Sequence, residues 1–300
     1  MLRKFVACLL MSAGIVSAAE YRMVVPFAPG AQSDIAARQV AQAFERITGD
    51  KMVVESIPGA DSIIGINHFK NTPGVDVLWT ASSIVAYNPV VKDNLPYSND
   101  DFDHIIYVGT SPSIWLVAAN SKYKTISDVF AAPPEFVGSN SSVGELNTIA
   151  VNRQKKAEIK YVPFKGAPDV LINVVNNTLP AAMIHVNSSL IELTKAGKIH
   201  ILGSSYSKSF NIDGVDIPSI KQKTGVQQFN GFVGLSLRPG LDATRAQALK
   251  RGLWAAVQDA ETKQKLQQLY ILPDSSNDPK WINEHYEQVR AEARLYSKTK

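Results

Sequence analysis

A chain of 300 residues, 45% apolar and 19% charged, is large enough to fold on a core of its own. Its 31 Lys and Arg against 27 Asp and Glu leave a net charge of +4, and no basic run exceeds Lys155-Lys156, which argues against nucleic acid as partner. A single cysteine, Cys8, excludes a disulfide within the chain.

The first nineteen residues read as an export signal. Arg3 and Lys4 are a short positive start, Phe5 to Val16 is apolar apart from Ser12 and Gly14, and Ser17-Ala18-Ala19 offers small residues before Glu20. The apolar run falls short of the roughly 20 residues that a spanning helix needs. Cys8 sits inside that run, which disfavours a lipid anchor on its thiol. Removing residues 1–19 leaves 29 Lys and Arg against 27 Asp and Glu, and no thiol. The expected mature protein lies in the periplasm and is held by its core alone, without disulfide, metal or cofactor.

Short apolar strands then alternate with loops and helices. Tyr21 to Pro26 predicts a strand. A helix follows, capped by Ser33 or Asp34, with Ala36, Val40, Ala43 and Ile47 on one face and Gly49 as its stop. Further strands are expected at Met52–Val54, Val75–Trp79, Phe136–Gly138, Ile159–Val162, Ala181–Ile184, Ile199–Leu202 and Phe229–Leu237. From Asp242 onward the pattern is helical, one face marked by Ala246, Leu249, Leu253, Ala256 and Val257, another by Trp281, His285, Val289 and Tyr296. Such alternation predicts mostly parallel sheets covered by helices. Two lobes are expected in place of one sheet, because single cores stop growing at about 250–300 residues.

Four loops have the chemistry to hold a small ligand. Phe27, Ala28, Gly30, Ala31, Gln32, Ser33 and Asp34 span a strand end, a Pro/Gly turn and a helix start, where free N–H groups and the helix dipole favour an anion. Lys165, Gly166 and Ala167 repeat that logic after the strand ending at Pro163, with Pro168 suited to a first helical turn. Ser82 and Ser83 follow a third strand, Ser139 and Ser142 a fourth, and supply neutral donors. A plain turn is the structural alternative at each.

Hydrolase, phosphate-loop and zinc-helix motifs do not occur. His68, His104, His185, His200 and His285 are dispersed without metal-ligand spacing, and Asp100, Asp101 and Asp103 read as a helix-start or loop feature in preference to a cation site. A secreted hydrolase would need a loop serine with His185 as its base.

The motifs in order carry a resemblance. Val24-Val25-Pro26-Phe27-Ala28-Pro29-Gly30 through Asp34 is similar to the V-V-P-F-x-P-G-G-x-x-D opening of the tripartite tricarboxylate transporter solute-binding receptors, the Bug receptors. Val54-Glu55, Pro58-Gly59-Ala60 and Gly65, Tyr161 to Gly166, Lys195 to Ile199, Gly214 to Ile220 and Gly231 to Leu235 resemble that family's later segments. The resemblance implies a type II periplasmic-binding fold: two α/β lobes around a ligand cleft, joined by two crossing strands. Residues 20–115 and 234–300 are then expected in one lobe and 116–233 in the other, with crossings near Trp115–Asn120 and Phe232–Leu237. It implies a monomeric binding protein, not an enzyme, that hands a small carboxylate to a two-component membrane permease; a sensor for a membrane signalling protein would use the same clamshell. Ala31 stands where a second Gly is usual, Phe164 where Tyr is common and Asn176-Asn177 where Gly-Gly is usual. His185 stands where the family often has an acidic residue, which changes the charge facing the cleft.

Overall fold

The computed structural model describes residues 18–297. The expected leader, Cys8 included, lies outside them apart from Ala18 and Ala19.

In chain order the first unit comprises β1 (Glu20–Val25), α1 (Gln32–Thr48), β2 (Lys51–Ser56), α2 (Ile63–Asn71) and β3 (Val77–Ala81), then a π-type turn at Ser83–Tyr87, α3 (Asn88–Val91) and β4 (Asp103–Ser111). The second holds β5 (Ser113–Ala118), α4 (Ile126–Ala131), β6 (Phe136–Ser139), α5 (Ser142–Lys155), β7 (Lys160–Pro163), α6 (Ala167–Val175), β8 (Ala182–His185), α7 (Ser188–Lys195) and β9 (Ile199–Ser204). A hairpin of β10 (Phe210–Ile212) and β11 (Val215–Ile217) and helix α8 (Ile220–Thr224) complete it. The chain then returns through β12 (Gly231–Leu237), α9 (Ala243–Gln258), α10 (Ala260–Gln268) and α11 (Pro279–Ser297).

The strands form two five-stranded sheets of matching plan, β2-β1-β3-β12-β4 and β7-β6-β8-β5-β9. The first three strands of each are parallel and the last two alternate in direction. The sheets are therefore mixed, not mostly parallel: a strand arriving from the other sheet enters against the parallel set. Pro112 separates β4 from β5, and lacking an N–H it cannot continue the ladder. The return passes through Asn230 into β12. Both crossings fall a few residues before the 115/116 and 233/234 boundaries: Trp115 is in the second sheet, Phe232 and Val233 in the first.

Helix α1 buries Ala36, Val40, Ala43 and Phe44 against the first sheet, while Ile47, read as a core position, is 43% exposed at the helix end. Gly49 is its left-handed stop, at φ 78°. On α11 the buried face is Ile282, Tyr286, Arg290 and Ala293, one residue round from the expected stripe, and Trp281 is 40% exposed. Trp281 instead stacks flat on His285 at the rim, ring centroids 4.9 Å apart.

Helix α5 spans the join between units. Its Val143, Leu146 and Ala150 share a core cluster with Ile84, Tyr87, Ile282 and Tyr286 of the first. Asn147 and Gln154, two turns apart, grip the returning chain. Asn147 accepts from Phe229 N–H at 2.6 Å and donates to Phe229 O at 2.9 Å. Gln154 does the same to Gln227, at 2.8 and 3.1 Å. Each amide side chain thus stands in for a neighbouring strand.

Gly65 fixes how α2 meets the first loop. A Cβ there would lie 2.6 Å from Ile57 O and 2.7 Å from Pro26 Cβ. Gly65→Ala is expected to destabilise the protein by about 1–3 kcal/mol through overpacking. Urea unfolding measures it; a loss under about 0.5 kcal/mol, the scale of an ordinary surface change, would show that the contact yields freely.

Candidate functional site: a cleft at the strand ends

Register places the site. Ala81, which ends β3, pairs with Val233 just after the second crossing, and Ser111, which ends β4, pairs with Gly231. His185, which ends β8, pairs with Ser113 just after the first crossing. The carboxyl ends of the parallel strands in both sheets therefore lie on the side of the crossings. Open α/β sheets bind ligands at such ends.

The first loop is a Pro-Gly turn. Ala31 N–H donates to Ala28 O at 3.1 Å, and Gly30 at the third position has φ +77°, the type II arrangement. Ala28 and Gly30 are exposed, and Phe27 is half-buried against the core clusters of the first unit. Ala31 is the N-cap, at φ −68° and ψ 159°, so a second glycine is not required there. This corrects the expected cap: neither Ser33 nor Asp34 holds it, and the helix begins two or three residues earlier than either would set, at Gln32. The first N–H to return to the helix is that of Ile35, on Ala31 O, which leaves those of half-buried Ser33 and of Asp34 ahead of the ladder. The Gln32 side chain donates to Leu269 O at 2.5 Å and so is held by the C-terminal segment.

Asp34 is 3% exposed and turned inward. Its carboxylate accepts from Gly30 N–H at 2.8 Å, pairs with Arg38 and accepts from Ser56. Burial by itself raises its pKa; the bonds from Arg38, Ser56 and Gly30 outweigh that and hold it below the usual carboxylate range. Asp34 is thus a strut that fixes the loop.

Ser82 is buried and half-buried Ser83 opens the π-type turn. In the second unit, Ser139 Oγ, Asn140 Oδ1 and Ser142 Oγ are buried oxygens without a hydrogen-bond partner among the described residues. Ser141 caps α5, accepting from Gly144 N–H at 3.3 Å. Ser139 is pressed on the first turn of α5, its Oγ 2.0 Å from where a Cβ on Gly144 would stand. Unsatisfied buried polar atoms each cost about 1–3 kcal/mol.

Lys165 is exposed, Gly166 is the N-cap of α6, and Ala167 and Pro168 begin the helix. Gly166 has φ −159°, extended backbone that any residue adopts, and a Cβ there would meet only Pro168 Cδ, at 3.5 Å. Its absent side chain leaves space in the cleft and is not needed for the turn. The second Asn of Asn176-Asn177 takes the left-handed conformation, at φ +60°.

His185 lies between the crossings. Its Nδ1 is 3.2 Å from Ser111 O, and its Cε1 is 2.3 Å from where a Cβ on Gly231 would be. The Nδ1 contact is to a backbone carbonyl. Ser111, Pro112 and Asn230 were not singled out by sequence, since only the register shows them at the floor. Ala60, Asp61 and Ser62 form a left-handed run (φ 45°, 51° and 76°) at the start of α2; only Pro58-Gly59 hinted at a turn there. Among the described residues, no three His, Cys, Asp or Glu gather as a metal site, and no helix is long and apolar enough to cross a membrane.

The lowered Asp34 pKa has a stability consequence. Its contribution is full above the unfolded-state value near 3.8 and is lost as pH falls through the lower folded value. Asp34→Asn is expected to cost about 1–2 kcal/mol at pH 7, discounted for the exposed Arg38 partner. The gap should narrow at pH 3 and below. Denaturant unfolding at both pH values checks this; an equal gap at the two would show that the charge is not what holds the loop.

Known proteins share this fold. The family model described as tripartite tricarboxylate transporter family receptor matches residues 36–278. A protein from the tcbD-tcbE intergenic region of Pseudomonas sp. strain P51 is 24% identical over 261 residues, 83% of this chain and 76% of its own length. Among solved structures, R. palustris Rpa4515 with adipate superposes at TM-score 0.81 with 21% identity, covering 94% of this chain and 97% of its own. MatC of Rhodopseudomonas palustris, with bound malate, superposes at TM-score 0.78 with 16% identity, covering 93% and 99%. The chain belongs to the tripartite tricarboxylate transporter receptor family.

Proposed function

We propose that this receptor captures a small carboxylate in the periplasm by closing two lobes on it, and passes it unchanged to a two-component membrane permease. The observation that carries the reading is the meeting of the βα loops of both sheets beside two adjacent crossings, with partnerless buried hydroxyls at the start of α5. Helix starts at α1, α5 and α6 supply N–H groups, and their dipoles favour negative charge without an Arg clamp. The adipate and malate held by Rpa4515 and MatC support a dicarboxylate. The strand ends support lobe boundaries at Pro112 and Asn230. In this reading the protein acts as a monomer after removal of residues 1–19 as its export signal. Closing about two short crossings is hinge motion of the kind other binding proteins use.

Gly166→Val tests the site cleanly, because neither backbone conformation nor packing resists the change. Calorimetry is expected to show binding of the best carboxylate weakened about 10- to 100-fold, the size of one charge-assisted hydrogen bond. Melting temperature should stay unchanged, and Lys165→Ala should cost far less. The carboxylate should also bind at least about tenfold tighter than its amide. Equal binding of acid and amide, or indifference to Gly166→Val, would place the site elsewhere.

A further inference from the structure

His185 touches both places where the chain passes between sheets. Its Nδ1 faces Ser111 O at 3.2 Å on the outgoing crossing, and its Cε1 edge fills the space left by the missing side chain of Gly231 on the return. A carbonyl oxygen only accepts, so Nδ1 carries a proton and donates it. Burial lowers the imidazole pKa, and the carbonyls of Ser111 and Pro112 only partly offset that, so the ring holds one proton and not two. The other nitrogen, Nε2, then carries a lone pair. It makes no hydrogen bond among the described residues, and the residue is only half-buried. The neighbouring strand end brings Ser139, whose hydroxyl is fully buried and has no partner among the described residues. The strand ends beside the crossings thus combine a buried hydroxyl with one nitrogen that can only accept.

We infer that His185 determines specificity within the proposed receptor site: its Nε2 accepts a hydrogen bond from the ligand, which selects carboxylates bearing a hydroxyl or amino group beside the acid. A carboxylate oxygen facing that lone pair is repelled, whereas an O–H or N–H of the ligand gains a partner. The inference rests on the receptor reading above. A site built to pair with a hydroxyl discriminates against the analogue that lacks it, because its own polar atom is then stranded.

Calorimetry with two matched pairs, malate against succinate and lactate against propionate, tests it on the wild-type protein, His185→Phe and His185→Gln. The wild type is expected to prefer the hydroxylated member of the pair it binds by about fivefold or more. His185→Phe keeps a ring against Gly231 but has no acceptor, and should bring that ratio close to one. His185→Gln retains an acceptor and should keep part of the preference. A ratio compares two ligands on one protein, so a general loosening of the hinge moves both alike and leaves it unchanged. An unchanged ratio in His185→Phe, or a wild-type preference for the unsubstituted acid, overturns this inference alone. A wild-type protein that binds no carboxylate at all overturns the receptor reading and this inference with it.

Discussion

Two crossings held side by side govern the rest of the molecule. Ser111 on the outgoing chain pairs with Gly231 on the returning one, and the approach is close enough that a Cβ on Gly231 would stand 2.9 Å from Ser111 O. Asn230 is gripped from both units: Tyr87 donates to its carbonyl at 2.5 Å, and Ser205 donates to its side chain at 2.8 Å. From this junction the register of each sheet runs outward. Because β12 and β5 both start there, the strands parallel to one another must end there, and their loops converge. The site is a consequence of how the sheets are joined. The short span of the crossings, with no flexible tether, also limits relative motion to a hinge.

The proposed recognition of a carboxylate rests on the same geometry. The loops present backbone N–H groups and hydroxyls, and an exposed Lys165 at the edge. The inward carboxylate of Asp34 is kept ionised by Arg38 and Ser56, and spends its charge on the Gly30 N–H. Those bonds brace the loop, and preorganised donors lose little entropy on binding. The oxygens at 139–142, buried and without a partner among the described residues, are the complementary case: polar groups withheld from internal bonds at a cost in stability.

Much of the fold was legible because short apolar runs bounded by Gly and Pro mark the parallel strands, and Gly30 and Gly49 sit where left-handed backbone is needed. Strand β4 was not, since His104 and Thr110 interrupt it with polar residues that are buried through His104–Ser236 and Thr110–Asp274 bonds. The α11 stripe was misplaced because a buried cation, Arg290, takes a core position by donating to Val85 O. The loops of the site were legible as turns, but not the roles within them. That Asp34 faces inward, that Gly166 is there for space and that His185 touches both crossings depend on tertiary register, which no local pattern records.

Hydrogen–deuterium exchange on the full mature chain, with and without a saturating dicarboxylate chosen by thermal shift, reads the gripping groups directly. Backbone N–H groups that hold the anion exchange more slowly when it is bound. The account predicts protection concentrated at residues 30–35, 140–145 and 165–169, with smaller effects at the crossings. Protection confined to other surfaces, with those three loops unchanged, would contradict it.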